Sequence, residues 1–476
     1  MNKLKLFVDN FIIYGMGGII SKMIPLIMVP IITRLMPSTG YYGIADLSNT
    51  LVQFGSAIAI MGMYDAMYRM FFEKEEPFFK KKVCSTALSF TMITSTIVFI
   101  IMILFKEKIA NLFFSNQQYA FVVYLSAIAT LVGSTNSIIS APTRMENKRK
   151  VFLVTNTISP LLSYSISIPL LLAGHYIIAL PLSAILSGIT IEIIFGALNR
   201  KWFSFRFFDA NVLKQLLKIA IPLLPNFLIY WIFNSCDRIM ITNIIGIEYA
   251  GIYSVSSKFG HVSQLIYIGF AGGWQYFAFS TMKDENQVRN NSLVFEYLGV
   301  ISYITTSFVC ACCYVFYLII VPKDYLAGYV AAPYLFLSPL LQMLFQIAAN
   351  QFLVIKKTWP NMFILAVGAM LNVLINKSMI PLIGIEGAAI ATLIGYSTSV
   401  AIACCVLIRM RLIVLSSRFL MTSGVFLVLL LLWRLTYSQN TFVGLLFAFS
   451  FLLACTYFYK NEIKYLREVF KEHVNK

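Results

Sequence analysis

Charge is scarce in this sequence, and that scarcity excludes more than any other feature. Asp, Glu, Lys and Arg make up 12% of the 476 residues while 59% are hydrophobic; an ordinary soluble domain is about 25% charged. No soluble arrangement hides so many apolar side chains behind so few charges. The mean hydropathy of +0.79 agrees, and the solvent for most of the chain is lipid. Acids are the scarcer sign, 20 against 37 basic residues, for a net charge of +17. In a soluble chain this would point to nucleic acid. Here the basic residues sit in short clusters between apolar runs, the pattern of cytoplasmic loops, so no nucleic-acid partner is expected. Histidine occurs three times, and nearly all of the eight cysteines fall inside apolar runs. Cys310-Ala-Cys312-Cys313 therefore reads as membrane helix, and neither metal ligation nor disulfides are expected. Catalytic motifs are missing as well: no phosphate loop, no His-Glu-x-x-His, no nucleophile elbow. The outer loops hold only His175 and scattered acids, so neither an enzyme nor a cofactor is implied.

What is there is a series of long apolar runs. A helix crosses the hydrocarbon core in about 20 residues, and fourteen such runs occur, from 11–33 to 441–459. They include 44–68, 216–243, 250–275 and 332–354. The first is too long for a signal-peptide core and reads as a retained membrane helix. The expected fold class is an all-α polytopic membrane protein of about fourteen transmembrane helices. With that map, 28 of the 37 basic residues fall on the side that holds both termini. Only Arg34, Lys106, Lys108, Lys323 and Arg434 fall on the other, and Lys22, Arg238, Lys258 and Lys377 lie inside spans. Both termini are expected in the cytoplasm.

A weak repeat runs through the chain. Tyr42-Gly43-Ile44 recurs as Ala250-Gly251-Ile252, Lys148-Arg149 as Lys356-Lys357, and Gly174 as Gly384, at offsets of about 208 residues. The spacing predicts two six-helix halves, 1–205 and 206–415, followed by two additional helices and a cytoplasmic tail in 416–476. Six is even, so the halves keep one orientation, a parallel repeat about an axis along the membrane normal.

Polar residues inside spans are the candidate site. A charge at a helix centre costs about 2.5–3.5 kcal/mol on the insertion scale, and persists where a partner or a wet cavity receives it. Gly15, Gly18, Lys22 and Pro25 share one helix face, with Lys22 near mid-span. Asp46, Asn49, Gln53 and Ser56 form a stripe on the second span. Asn226, Tyr230, Asn234 and Asp237, with Arg238 beside them, form one on the seventh. Ser254, Lys258 and His261 lie on the eighth, and Gln342, Gln346 and Asn350 on the tenth. Interhelical hydrogen bonding accounts for any one stripe; together they predict a shared polar cavity. Lys22, Arg238 and Lys258 give it a cationic centre suited to a phosphate or pyrophosphate head group.

The chain resembles Wzx-type flippases for O-antigen and other polysaccharide repeat units, in the multidrug/oligosaccharidyl-lipid/polysaccharide exporter superfamily. The resemblance rests on Pro30-x-x-Thr33-Arg34 leading to Tyr42-Gly43, and on Asp237-Arg238. It continues through Ala250-Gly251-Ile252-Tyr253-Ser254-Val255-x-x-Lys258, Asn376, Pro381, and Gly384-Ile385-Glu386-Gly387-Ala388-Ala389-Ile390-Ala391-Thr392. It implies two pseudo-symmetric, MATE-like six-helix bundles around a central cavity, working by alternating access in the bacterial cytoplasmic (inner) membrane. The implied substrate is an undecaprenyl-pyrophosphate-linked oligosaccharide, moved to the outer leaflet with coupling to a proton or sodium gradient. A polysaccharide polymerase and a chain-length regulator are the implied protein partners. Rival readings are a lipid-linked peptidoglycan precursor flippase, a small-molecule exporter, which would show acidic cavity residues, and a membrane polymerase or ligase, which would need a catalytic outer loop.

Overall fold

The computed structural model describes residues 19, 22–267, 270, 274, 284–355, 357, 359–462 and 464. Among these, all regular structure is helical. Helix α1 covers 22–35, followed by α2 (Thr39–Ile60), α3 (Met63–Phe71), α4 (Pro77–Leu104), α5 (Lys106–Phe114) and α6 (Ala120–Met145). Then come α7 (Arg149–Leu172), α8 (Ala179–Leu198), α9 (Ala210–Ala220), α10 (Leu224–Ile244) and α11 (Ile247–Gly260). A 3-10 turn, His261–Ser263, leads into α12 (264–267). The remainder is α13 (Gln287–Ile320), α14 (Ala332–Val354), α15 (Trp359–Ile383), α16 (Ile385–Arg409), α17 (Ser417–Leu432) and α18 (Thr441–Phe458).

Eleven helices among the described residues are long and apolar enough to cross a membrane, or twelve if α2 and α3 form one bent span. The expected spans 11–33 and 250–275 run into residues outside those described. The run 44–68, read from sequence as one helix, is two, bent by 48°. Met61 and Gly62 break it with φ of 49° and 76°. Gly62 is needed twice over: a Cβ there would also lie 2.7 Å from the Ala220 carbonyl oxygen. The break turns Met63, Ala66, Met67 and Met70 onto a core shared with Val212, Leu216 and Ala220, the i, i+4, i+8 face of α9. Asp209 caps α9 and pairs with Lys82 at 2.9 Å. Those donors hold its carboxyl below the usual range.

By contact, the chain divides into Met1–Val255 with Ala369–Ala391, and Ser256–Gly368 with Thr392–Lys476. These units differ from the expected 1–205, 206–415 and 416–476, and the six-helix halves stand as a proposal. In the first unit, hydroxyl pairs join neighbouring helices, Ser48 to Ser126 at 2.8 Å and Ser163 to Ser183 at 3.2 Å, a common device where lipid offers no hydrophobic drive. In the second, Gly444 of α18 sits against Ala311 of α13, and the Phe419 ring of α17 against Gly299. Buried Glu296 fastens both late helices to α13, accepting from Arg418 Nε at 2.9 Å and Tyr459 OH at 2.8 Å.

Within the first unit α2 and α11 meet backbone to backbone. A Cβ on Gly43 would lie 2.5 Å from the Ile247 carbonyl oxygen, and one on Gly251 1.9 Å from that of Thr39. Thr39 and Ile247, like Gly43 and Gly251, are 208 positions apart. So are Asp46 and Ser254, which hydrogen bond at 2.7 Å. Each residue therefore meets the repeat mate of the residue that meets its own mate, the reciprocal pattern a twofold axis produces. Gly251→Ala should hold the two helices apart. With the eight native cysteines replaced, a Gly40→Cys/Glu248→Cys pair should crosslink readily, since a Gly40 Cβ lies 3.7 Å from Glu248 Cγ. Adding Gly251→Ala should abolish the crosslink; an unchanged yield would show that the contact tolerates a side chain.

Candidate functional site

The α2–α11 approach brings together polar side chains from four helices, the charged ones from two of them. Asp46 lies two turns into α2, Asp237 and Arg238 in the second half of α10, Tyr253 and Ser254 mid-way along α11, and Asn372 and Asn376 on α15. Trp231 anchors α10 to α2, donating from Nε1 to the Thr50 carbonyl at 3.2 Å and packing its ring, tilted by 46°, against that of Phe54. Arg238 Nε then lies 2.5 Å from Asp46 Oδ2. Arg238 also donates from Nη1 to the Asn234 carbonyl one turn back. Asp46 accepts a second bond from Ser254 Oγ at 2.7 Å. Asp237 accepts from Tyr253 OH at 2.6 Å and from Asn376 Nδ2 at 2.9 Å. Asp46 and Asp237 are only 7% and 3% exposed, and a buried ion costs several kcal/mol unless its lone pairs are filled. Two donors per carboxylate meet that demand.

Two carboxylates share one guanidinium here. Around Asp237 the oxygens of Asn372 and Asn376 add uncharged donors; Asn376 Nδ2 also reaches Asn372 Oδ1 at 3.3 Å, and Asn376 Oδ1 is buried without a hydrogen-bond partner. Among the described residues, no group of three His, Cys, Asp or Glu is arranged to hold a metal.

The structure sorts the residues expected from sequence. Asp46, Asp237, Arg238 and Asn234 come together in the network. Arg238 is thus engaged by Asp46 rather than standing as an open cation. Lys22 is exposed on α1; Gly15 and Gly18 lie outside the described residues. Asn49 and Gln53 are exposed on α2, and Asn226 is half-buried on α10. Lys258, His261, Gln342, Gln346 and Asn350 belong to the second unit, each half-buried. The partners of Asp237 were missed as site residues. Tyr253 and Asn376 stood in the sequence only as marks of family resemblance, and no periodicity links positions 139 residues apart.

The fold is that of a class of multi-helix membrane transporters. It is similar to the lipid II flippase MurJ in an inward closed conformation, with a TM-score of 0.71 at 15% identity over 95% of this chain and 100% of that one. It is also similar to an inward-facing multidrug resistance MATE family transporter of the MOP superfamily (TM-score 0.58, 13% identity, 83% and 98% covered). A MATE in the bent conformation gives 0.57 at 14% identity, with 89% and 99% covered. No curated protein sequence matches the chain. The chain belongs to the family of polysaccharide biosynthesis proteins, whose model matches residues 31–322.

Breaking the Asp46–Arg238 pair should be costly, because the survivor stays buried. Asp46→Ala and Arg238→Ala should each destabilise the protein by about 3–5 kcal/mol. The double replacement Asp46→Leu/Arg238→Met should cost well under the sum of the two. Thermal unfolding of the detergent-solubilised protein measures this, and strict additivity would deny the pairing.

Proposed function

We propose that the chain flips a polyprenyl-pyrophosphate-linked oligosaccharide, an O-antigen, capsule or related repeat unit, from the cytoplasmic to the outer leaflet by alternating access. The observation that carries this reading is a polysaccharide-biosynthesis family match over residues 31–322 on a fold similar, along 95% of the chain, to a lipid II flippase. Covalent chemistry has no constellation to support it. The cytoplasmic membrane, with both termini inside, is the location the basic-residue asymmetry favours, and a polymerase and chain-length regulator are the partners such a substrate calls for.

Lys22, Arg238 and Lys258 are the proposed head-group contacts, with Asp46, Asn49, Gln53, Asn226, Asn234, Asp237, Gln342, Gln346 and Asn350 lining the path. Arg238 joins in when a phosphate oxygen replaces Asp46 on its guanidinium, an exchange of one acceptor anion for another. Coupling to a proton or sodium gradient is assigned to Asp237, whose carboxylate can take up a proton, with the neutral amides of Asn372 and Asn376 beside it. A drug-exporter reading loses ground because it calls for acidic cavity residues, whereas the accessible intramembrane charges include Lys22 and Lys258.

Deleting the gene should make one lipid-linked oligosaccharide accumulate on the cytoplasmic face; absence of any such intermediate would remove the reading. A charge-assisted contact is worth about 1.5–3 kcal/mol, roughly ten- to a hundred-fold in affinity. Lys22→Ala and Lys258→Ala should therefore each cut surface-polysaccharide output strongly at normal protein levels, with Lys22→Arg retaining more than Lys22→Gln. Undiminished output in both alanine variants would remove the cationic path while leaving the fold untouched.

A further inference from the structure

From Ala332 to Phe352, α14 is buried at every position except Gln342, Gln346 and Asn350. These three amides follow i, i+4, i+8 and form one narrow stripe. An opening toward lipid would present apolar side chains, because hydrocarbon leaves amide hydrogen bonds unmade. What this helix exposes is polar, so the space it faces is wet. The neighbouring Gln351 shows the contrast: it is 1% exposed and bonded to Gln287 at 2.9 Å, an amide used for packing. Gln342 and Asn350 make no side-chain hydrogen bond to the described residues.

A second wall of the same space comes from the end of α11. Residues 250–257 are buried, and Lys258 is the first accessible one. Gly260 lets this end press onto α14, since a Cβ there would meet Leu335 Cβ at 2.6 Å. The helix then tightens into the His261–Ser263 3-10 turn, a common mark of a functional break in a span. Beyond it, Tyr267 OH donates to Gln346 Oε1 at 2.6 Å and ties the two walls together.

Amides offer donors and acceptors without charge, a phenol and an imidazole likewise. A pyrophosphate needs donors and positive charge but has no use for acceptors, and a polyprenyl chain needs neither. A ligand dense in neutral hydroxyls uses both. We propose that Gln342, Gln346, Asn350, Tyr267 and His261 form a slot that reads the saccharide, with Lys258 at its edge. The inference rests on the proposed flippase function and assigns the sugar and the head group to different residues. Selectivity follows because a sugar that lacks a matched hydroxyl leaves a slot amide unpaired.

The test uses the full-length protein in nanodiscs with two probes, undecaprenyl pyrophosphate and the oligosaccharide-bearing polyprenyl pyrophosphate extracted from the native host. The unaltered protein should bind the loaded carrier more tightly than the bare one. Removing each amide should weaken loaded-carrier binding about fivefold, so Gln342→Leu/Gln346→Leu should bring it close to the bare carrier. Affinity for the bare carrier should stay unchanged, which also reports that the variant is folded. Tyr267→Phe should show the same selective loss in milder form. Equal binding of both probes by the unaltered protein, or a parallel loss of both in the double variant, would overturn the saccharide slot alone. Binding of neither probe would overturn the flippase reading and the slot with it.

Discussion

Two glycines set how closely α2 and α11 approach, and the charged network depends on that approach. With Gly43 and Gly251 in contact, Ser254 reaches Asp46, and the same stretch of α11 places Tyr253 on Asp237. A methyl group at either glycine meets backbone carbonyl rather than a flexible side chain, so no rotamer change relieves it. Separation of the helices would remove Ser254 from Asp46 and leave a buried carboxylate one donor short. The packing constraint and the electrostatic one are therefore the same constraint.

The hydrocarbon solvent explains why the network closes on itself. A bundle in lipid gains little from burying leucine against leucine, so interfaces rely on small residues and internal polar bonds. Pro30, Thr33, Asp237, Arg238, Gly251, Tyr253, Ser254 and Asn376 were marks of a family in the sequence, and several prove to be one connected object. Asp237, Arg238, Gly251, Tyr253, Ser254 and Asn376 touch or brace one another through three helices.

Legibility of the fold and of the site differed for physical reasons. Long apolar runs are a direct consequence of bilayer thickness, so most spans could be read from hydropathy. The bend at Met61–Gly62 could not, because backbone of positive φ leaves no trace in an apolar count, and 44–68 looked unbroken. The three anchors suggested a repeat, which stands as a proposal, and the close approaches of Gly43 to Ile247 and of Gly251 to Thr39 share its offset. The contact units Met1–Val255 with Ala369–Ala391 and Ser256–Gly368 with Thr392–Lys476 were invisible, since they cut across helices that are continuous in sequence.

Periodicity also failed to separate two kinds of intramembrane polar residue. Asp46 and Asn49, or Gln346 and Gln351, look alike as interruptions of an apolar run. Burial divides them: Asp46 and Gln351 are buried and bonded to neighbouring helices, while Asn49 and Gln346 remain accessible. The division changes the electrostatics of the proposed path. Arg238 is engaged by Asp46, while Lys22 and Lys258 keep part of their surface accessible. If an arriving pyrophosphate takes Arg238 from Asp46, head-group binding weakens the bonds that help hold α2, α10 and α11 together. Linkage then requires the converse, that closing those helices weakens head-group binding by the same factor. A ligand that competes with a structural ion pair is thereby coupled to conformation through a contact that also stabilises the fold.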